Sequence, residues 1–196
     1  MRILLAAILV AGIAGCATTQ ITKVESGERV VGERLEIKVD GAWNLINTPL
    51  LAPAQAWTME GLPIDQLLIY SGVKDGEAIR PQAGGAAPTS VNFRSSMQPD
   101  EIVAMFEAAL TRDGSTFKLA KLEPSSFAGA KGLRFEYAVV RKFDNVQLSG
   151  VGFAAVRDGE LFAMIYSAPR LGFFPRHQQR VEDIARTAKL RAKTGS

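Results

Sequence analysis

The sequence predicts a single α+β domain: a central antiparallel β-sheet meander flanked by two amphipathic helices. Three observations predict it. Leu133, Phe135, Tyr137 and Val139 alternate with Arg134, Glu136, Ala138 and Val140, the period of a strand with two unlike faces. Asp158-Gly159 separates two further apolar runs as a tight hairpin turn would. Two stretches, 99–113 and 176–190, repeat their apolar residues with the helical period. The chain of 196 residues suffices for one sizeable core and not comfortably for two.

The elements follow in chain order. Met1 to Cys16, MRILLAAILVAGIAGC, has a positive start at Arg2 and an unbroken apolar run from Ile3 to Ala14. Small residues then precede a cysteine. That is the layout of a secretory signal peptide over 1–15, and the apolar run is shorter than the roughly 18 residues that spanning requires. Residues 16–33 read as a polar tether, with the folded domain beginning at 34 and ending at 190. Leu35, Ile37 and Val39 form one face of a short strand, and Asp40-Gly41 predicts a hairpin into a second strand at Trp43–Ile46. Strands follow at Trp57–Glu60 and Gln66–Gly72. In the latter, the run Leu67-Leu68-Ile69 implies burial on both faces. Residues 74–90 hold a patternless Gly, Ala and Pro stretch, read as an irregular loop, with a short strand at Val91–Arg94 after it.

Helix 99–113 has Pro99 at its first position, Asp100 and Glu101 in the first turn, and Gly114 beyond its end. The meander occupies Phe117–Glu123, 133–140, Gln147–Arg157 and Leu161–Ser167. On the third of these strands, Val151, Phe153 and Ala155 share one face. Gly150, Gly152 and Ala154 line the other, as if a helix backbone approached closely there. Pro169–Pro175 reads as a loop. The helix at 176–190 carries Val181, Ile184, Ala185 and Ala188 on one stripe, and 191–196 is a basic tail.

Composition excludes several classes of function. Cys16 is the only cysteine, so the domain has no internal disulfide, no thiol chemistry and no thiolate metal site. His177 is the one histidine, expected as a polar surface residue near the start of the last helix. One imidazole with scattered carboxylates is a poor supply of metal ligands, so no metal and no cofactor is expected. No G-x-S-x-G elbow, Walker A run or G-x-G-x-x-G after a strand occurs; Ser149-Gly150-Val151-Gly152 sits in a strand pattern. Ser-Lys chemistry is likewise not expected from Ser115 or Ser126. The formal net charge of +3 is too small to argue for nucleic acid. Cations gather at the C-terminal end, at Arg176, Arg180, Arg186, Lys189, Arg191 and Lys193. They suit anionic headgroups or acidic wall polymers, and equally a solvated helix end that complements its own dipole.

Trp43, Trp57, Tyr70 and Phe93 are expected in the core. Phe173-Phe174, placed in a loop between Gly172 and Pro175, is the candidate partner contact. Asp65, Asp75 and Glu77 are the acids for an alternative reading, a carboxylate-dependent hydrolase of the envelope.

Two resemblances sharpen these expectations. Ile13-Ala14-Gly15-Cys16 resembles the lipobox of bacterial lipoproteins. It implies that Cys16 takes a diacylglycerol thioether, becomes the new N-terminus and is acylated. Ala17 in place of aspartate implies onward transport to the outer membrane, facing the periplasm. The order of elements from Gly41 to Leu190, above all Gly132 to Ile184, resembles the PsbP-like domains. That implies an α/β/α sandwich and a non-catalytic accessory role, with no metal or partner residues to carry over. The expected protein is therefore non-enzymatic, is held to a membrane through an N-terminal lipid, and binds an envelope protein or a small apolar ligand.

Overall fold

A computed structural model describes residues 20–80 and 91–193. The strands are β1 (Gln20–Val24), β2 (Gly27–Val31), β3 (Leu35–Val39), β4 (Trp43–Asn47), β5 (Gln55–Thr58), β6 (Gln66–Lys74), β7 (Thr116–Phe127), β8 (Ala130–Val140), β9 (Gln147–Arg157), β10 (Glu160–Pro169) and β11 (Lys189–Leu190). The helices are α1 (Pro99–Leu110) and α2 (Phe173–Thr187). One eight-stranded sheet runs β1-β4-β5-β6-β10-β9-β8-β7, and a smaller sheet runs β11-β3-β2.

The large sheet is apolar on both faces because its central strands put large residues at successive positions. On β6, Leu67 and Ile69 face one core while Leu68 and Tyr70 face the other. The first core lies under α2 and the small sheet, where Val181 and Ile184 meet Leu35, Ile37 and Val39. The second lies under α1, whose Ile102, Val103, Met105, Phe106 and Ala109 form the buried stripe. The result is the expected α+β layering of helix, sheet and helix, with the small sheet beside α2. Trp43, Trp57, Tyr70 and Phe93 are core residues. At the start of α1, Glu101 Oε2 accepts from the Gln98 amide at 2.7 Å, satisfying one of the free donors of the first turn.

Several expectations are corrected. Residues 20–24 and 27–31 of the expected tether are strands β1 and β2, so the domain begins earlier than 34. Isolated apolar residues conceal this, since an edge strand needs few of them. Asp40-Gly41 does not make a hairpin: β3 pairs with β2 and β11, whereas β4 pairs with β1 and β5. The turn carries the chain from one sheet to the other. Val91–Arg94 provides only an isolated bridge, Asn92 to Ala78. Helix α1 stops at Leu110, and α2 is displaced to 173–187. Pro175 does not bound α2 because the first turn leaves its amides unpaired and tolerates proline. After Ala188 the chain turns extended, and Lys189–Leu190 pair with Glu36 and Leu35. The basic tail is docked too, as the Arg191 amide donates to the Arg34 carbonyl at 2.9 Å.

The glycines of β9 have a different use from the one expected. Gly150 stands opposite Tyr137 and Gly152 opposite Phe135. The two rings fold down onto the glycines, and a Cβ at either position would overlap the ring. The space belongs to neighbouring aromatic side chains and not to a helix backbone.

Candidate functional site

The register defines two ends of the large sheet. The upper end is where β8 and β10 finish and β9 begins; the lower end is where β9 passes through the turn Asp158-Gly159 into β10. At the upper end a cleft of about 200 Å³ opens between the end of α1, the Leu62–Ile64 turn and strands β8 to β10. Leu62, Ile64, Leu110, Val139 and Leu148 supply its apolar wall, and Arg80, Asp113, Arg141, Ser115 and Ser167 its polar groups.

The polar groups are engaged. Arg80 Nη1 donates to the Ala109 carbonyl at 2.9 Å, completing the end of α1. Asp113 accepts from the Ser115 amide at 2.9 Å. Burial pushes the Asp113 carboxyl up, and the bonds from Ser115 outweigh it, so the net direction is below the ordinary carboxylate value. Arg141 pairs with Asp144 through two nitrogens, at 3.0 and 2.6 Å, and donates to the Pro63 carbonyl at 2.6 Å. The Tyr137 hydroxyl donates to the Tyr166 carbonyl at 3.1 Å, and burial pushes its pKa up. None of these contacts joins a nucleophile to a base. Ser115 does stand three residues before Lys118, and Ser71 before Lys74, against the expectation for Ser115. The Ser115 hydroxyl accepts from the Lys142 amide at 3.1 Å, and among the described residues no hydrogen bond joins Ser115 to Lys118 or Ser71 to Lys74.

The rim is apolar. Leu171 is 80% exposed and Phe143 69%, with Leu62 and Ile64 partly exposed beside them. The Arg141 guanidinium lies 4.6 Å from the Phe143 ring centre and binds Pro63, which ties these loops into one surface. A second hollow, lined by Val146, Pro169 and Leu171, continues it.

The residues singled out in the sequence lie as follows. Ile13, Ala14, Gly15 and Cys16 are outside the described residues, as is 81–90 of the expected loop. Phe173 and Phe174 are not in a loop: they form the first turn of α2, half-buried against the core, and Phe174 stacks on Tyr166 at 6.0 Å. Adjacent helical residues are about 100° apart, so both rings reach the sheet in part. His177 is not a surface residue. It is 7% exposed, with Nε2 2.7 Å from Glu60 Oε1. That hydrogen bond, with a smaller one from Arg176, holds the Glu60 carboxyl below its ordinary value.

Asp65 does not pair with the other two acids. Asp65 precedes β6 and Asp75 and Glu77 follow it, and its nine residues hold the two ends roughly 30 Å apart. A glycosidase pair needs under about 10 Å. Each acid instead closes a turn. Asp65, 1% exposed, accepts from the Thr58 hydroxyl and from the amides of Met59 and Glu60. Asp75 accepts from Ser95, and Glu77 from the Lys74 amide. Asp65→Asn is expected to destabilise the domain by about 2 kcal/mol, read by chemical denaturation, because the turn loses charge-assisted bonds. Unchanged stability would contradict this role.

Among the described residues, no three His, Cys, Asp or Glu side chains gather to hold a metal, and no helix is long and apolar enough to cross a membrane. The C-terminal cations divide. Arg176, Arg180 and Arg186 pair with Glu60, Asp40 and Asp183 along α2. Arg191 and Lys193 reach Glu36 and Glu160 at the lower end. Sequence inspection missed Arg34, the centre of that end. It is 8% exposed and bridges Asp158 and Glu160, each at 2.6 Å. Only its position next to an alternating strand hinted at burial.

No known family profile matches the sequence, and no curated protein matches it. Among solved structures, cyanobacterial PsbP (CyanoP) from Synechocystis sp. PCC 6803 is 14% identical, with a TM-score of 0.57 over 92% of this chain and 97% of that one. LpqN of Mycobacterium tuberculosis, described as involved in cell envelope biogenesis, is 12% identical, with a TM-score of 0.43 over 89% of this chain and 92% of that one. The layered antiparallel sheet and its two helices thus constitute a PsbP-like fold, a likeness of architecture.

Proposed function

We propose that the protein is a lipid-anchored accessory module of a bacterial envelope, acting by binding and not by catalysis. Ile13-Ala14-Gly15-Cys16 supports the anchor, which Cys16 would carry, and Ala17 supports the outer membrane with the domain facing the periplasm. Acyl chains hold such a domain by burying methylenes at about 0.8 kcal/mol each, and several chains together give stable attachment. The observation that carries the binding role is the upper end of the sheet. Its charged groups are spent on structural bonds, while Leu62, Ile64, Phe143 and Leu171 stand exposed around a cleft. Exposed apolar side chains collected at one place mark a contact surface. An envelope protein is the occupant this surface favours.

A photo-crosslinking amino acid at Phe143 or Leu171 tests this in intact cells. Adducts to one envelope component are expected from both positions and none from Glu107, on the exposed face of α1. Equal adducts from all three would refute the surface. Labelled palmitate on the wild type, lost in Cys16→Ala together with membrane fractionation, tests the anchor by itself.

A further inference from the structure

The lower end of the sheet holds another hollow, of about 270 Å³, distinct from the cleft and from the hollow beside Leu171. Arg34 lies at its floor, and Arg157, Lys189, Arg191 and Lys193 line it with the Ala128-Gly129 turn. Five cations converge where the carboxylates facing them are Asp158, Glu160 and Glu36. Arg34 and Lys193 are taken up by Asp158 and Glu160, and Arg191 by Glu36. Arg157, 3.4 Å from the Asp158 already held by Arg34, and Lys189 are left as surplus charge at the mouth. A hollow with this surplus, framed by guanidinium and ammonium donors, suits a phosphate.

The chain path says which phosphate. β1 pairs Gln20 with Asn47 and Val24 with Trp43, so it rises toward the upper end and starts on the side of the lower one. Cys16 is four residues before Gln20, a reach of at most about 14 Å. A lipid on Cys16 therefore keeps the start of β1 close to the bilayer and turns the lower end toward it. Leu50, 71% exposed in the turn after β4, lies at the same end and presents an apolar side chain there.

We infer that this hollow binds the phosphate of an anionic phospholipid headgroup, seating the domain with its cleft facing away from the membrane. The inference rests on the lipid anchor proposed above and adds a second, electrostatic contact to it. Basic side chains near an anionic surface each add to binding, and a surplus of this size raises affinity by about tenfold or more.

The full chain carrying Cys16→Ser, held in neutral detergent, is titrated with dihexanoyl-phosphatidylglycerol, dihexanoyl-phosphatidylcholine and inorganic phosphate. Amide resonances of Arg157, Lys189 and Arg191 report binding. Saturable shifts with phosphatidylglycerol are expected, about tenfold weaker with the other two, and weakened by a similar factor in Arg157→Gln/Lys189→Gln. Both residues lie at the mouth, and of the two only Arg157 has an ion pair among the described residues, its 3.4 Å contact with Asp158, while Arg34 stays on that carboxylate at 2.6 Å. Equal binding of inorganic phosphate or phosphatidylcholine, no shift at all, or an unaffected double variant would each overturn the assignment. Palmitate labelling of the wild type reads the anchor independently, so the two proposals fail separately.

Discussion

Gly152→Ala is expected to lower stability by about 3 kcal/mol, at the upper end of the cost of overfilling a packed core. In a domain of this size that is roughly 6–12 °C in melting temperature. The added Cβ meets the Phe135 ring, which cannot swing away. Phe135 is fully buried and stacks between Phe106 at 6.1 Å and Tyr137 at 5.7 Å. The neighbouring Gly150 is held under Tyr137 in the same manner, with Phe117 stacked on the far side at 5.2 Å. A double-mutant cycle separates overlap from any intrinsic preference of the strand. Phe135→Leu frees the space above residue 152, so Gly152→Ala should cost about 1 kcal/mol less in that background. Equal costs in the two backgrounds would show that the ring is not what demands glycine.

Arg34→Met is expected to cost about 3 kcal/mol at neutral pH, and the cost should shrink in acid. Removing one member of a buried ion network leaves the others uncompensated. Arg34 holds the carboxyls of Asp158 and Glu160, and Glu160 is itself 7% exposed. Burial works upward on Glu160, and Lys193 and Arg34 together bring it below its ordinary value; the hydrogen bond from Arg34 lowers Asp158. Carboxyls depressed in the folded state stabilise it above the unfolded value, near 4, and that contribution is lost as pH falls through the folded value. In Arg34→Met the depression by Arg34 is gone, so protonation in acid relieves an unpaired charge. Melting temperatures of wild type and variant should therefore converge between about pH 5 and pH 3. A gap that is constant or widens in acid would assign the loss to packing of Arg34 over Phe162, whose ring centre lies 5.4 Å from the guanidinium carbon.

Local chemistry made a large part of this molecule legible. The alternation at 133–140, the Asp158-Gly159 turn and the capped start at Pro99 act over a few residues, and each emerged where its residues stand. The expectation of a leader over 1–15, before Cys16, rests on the same kind of local signal, a charge, an apolar run and a cysteine. Strand edges were less legible, because β1 and β2 bury little and so carry little pattern. His177 shows the limit most sharply. Its burial depends on Glu60, which lies 117 positions away and gives no local sign of the pairing.

From residue order alone come the α+β class, the two helices, the four strands of the meander and the sole thiol at Cys16, since propensity, periodicity and turn chemistry are short-range properties of the chain. Tertiary structure decided which strands share a sheet, that Gly150 and Gly152 make room for aromatic rings, and that Arg34, Asp158, Glu160 and Lys193 meet at one end. Those contacts join segments that only folding brings together, and their energies depend on distances and burial that no stretch of sequence contains.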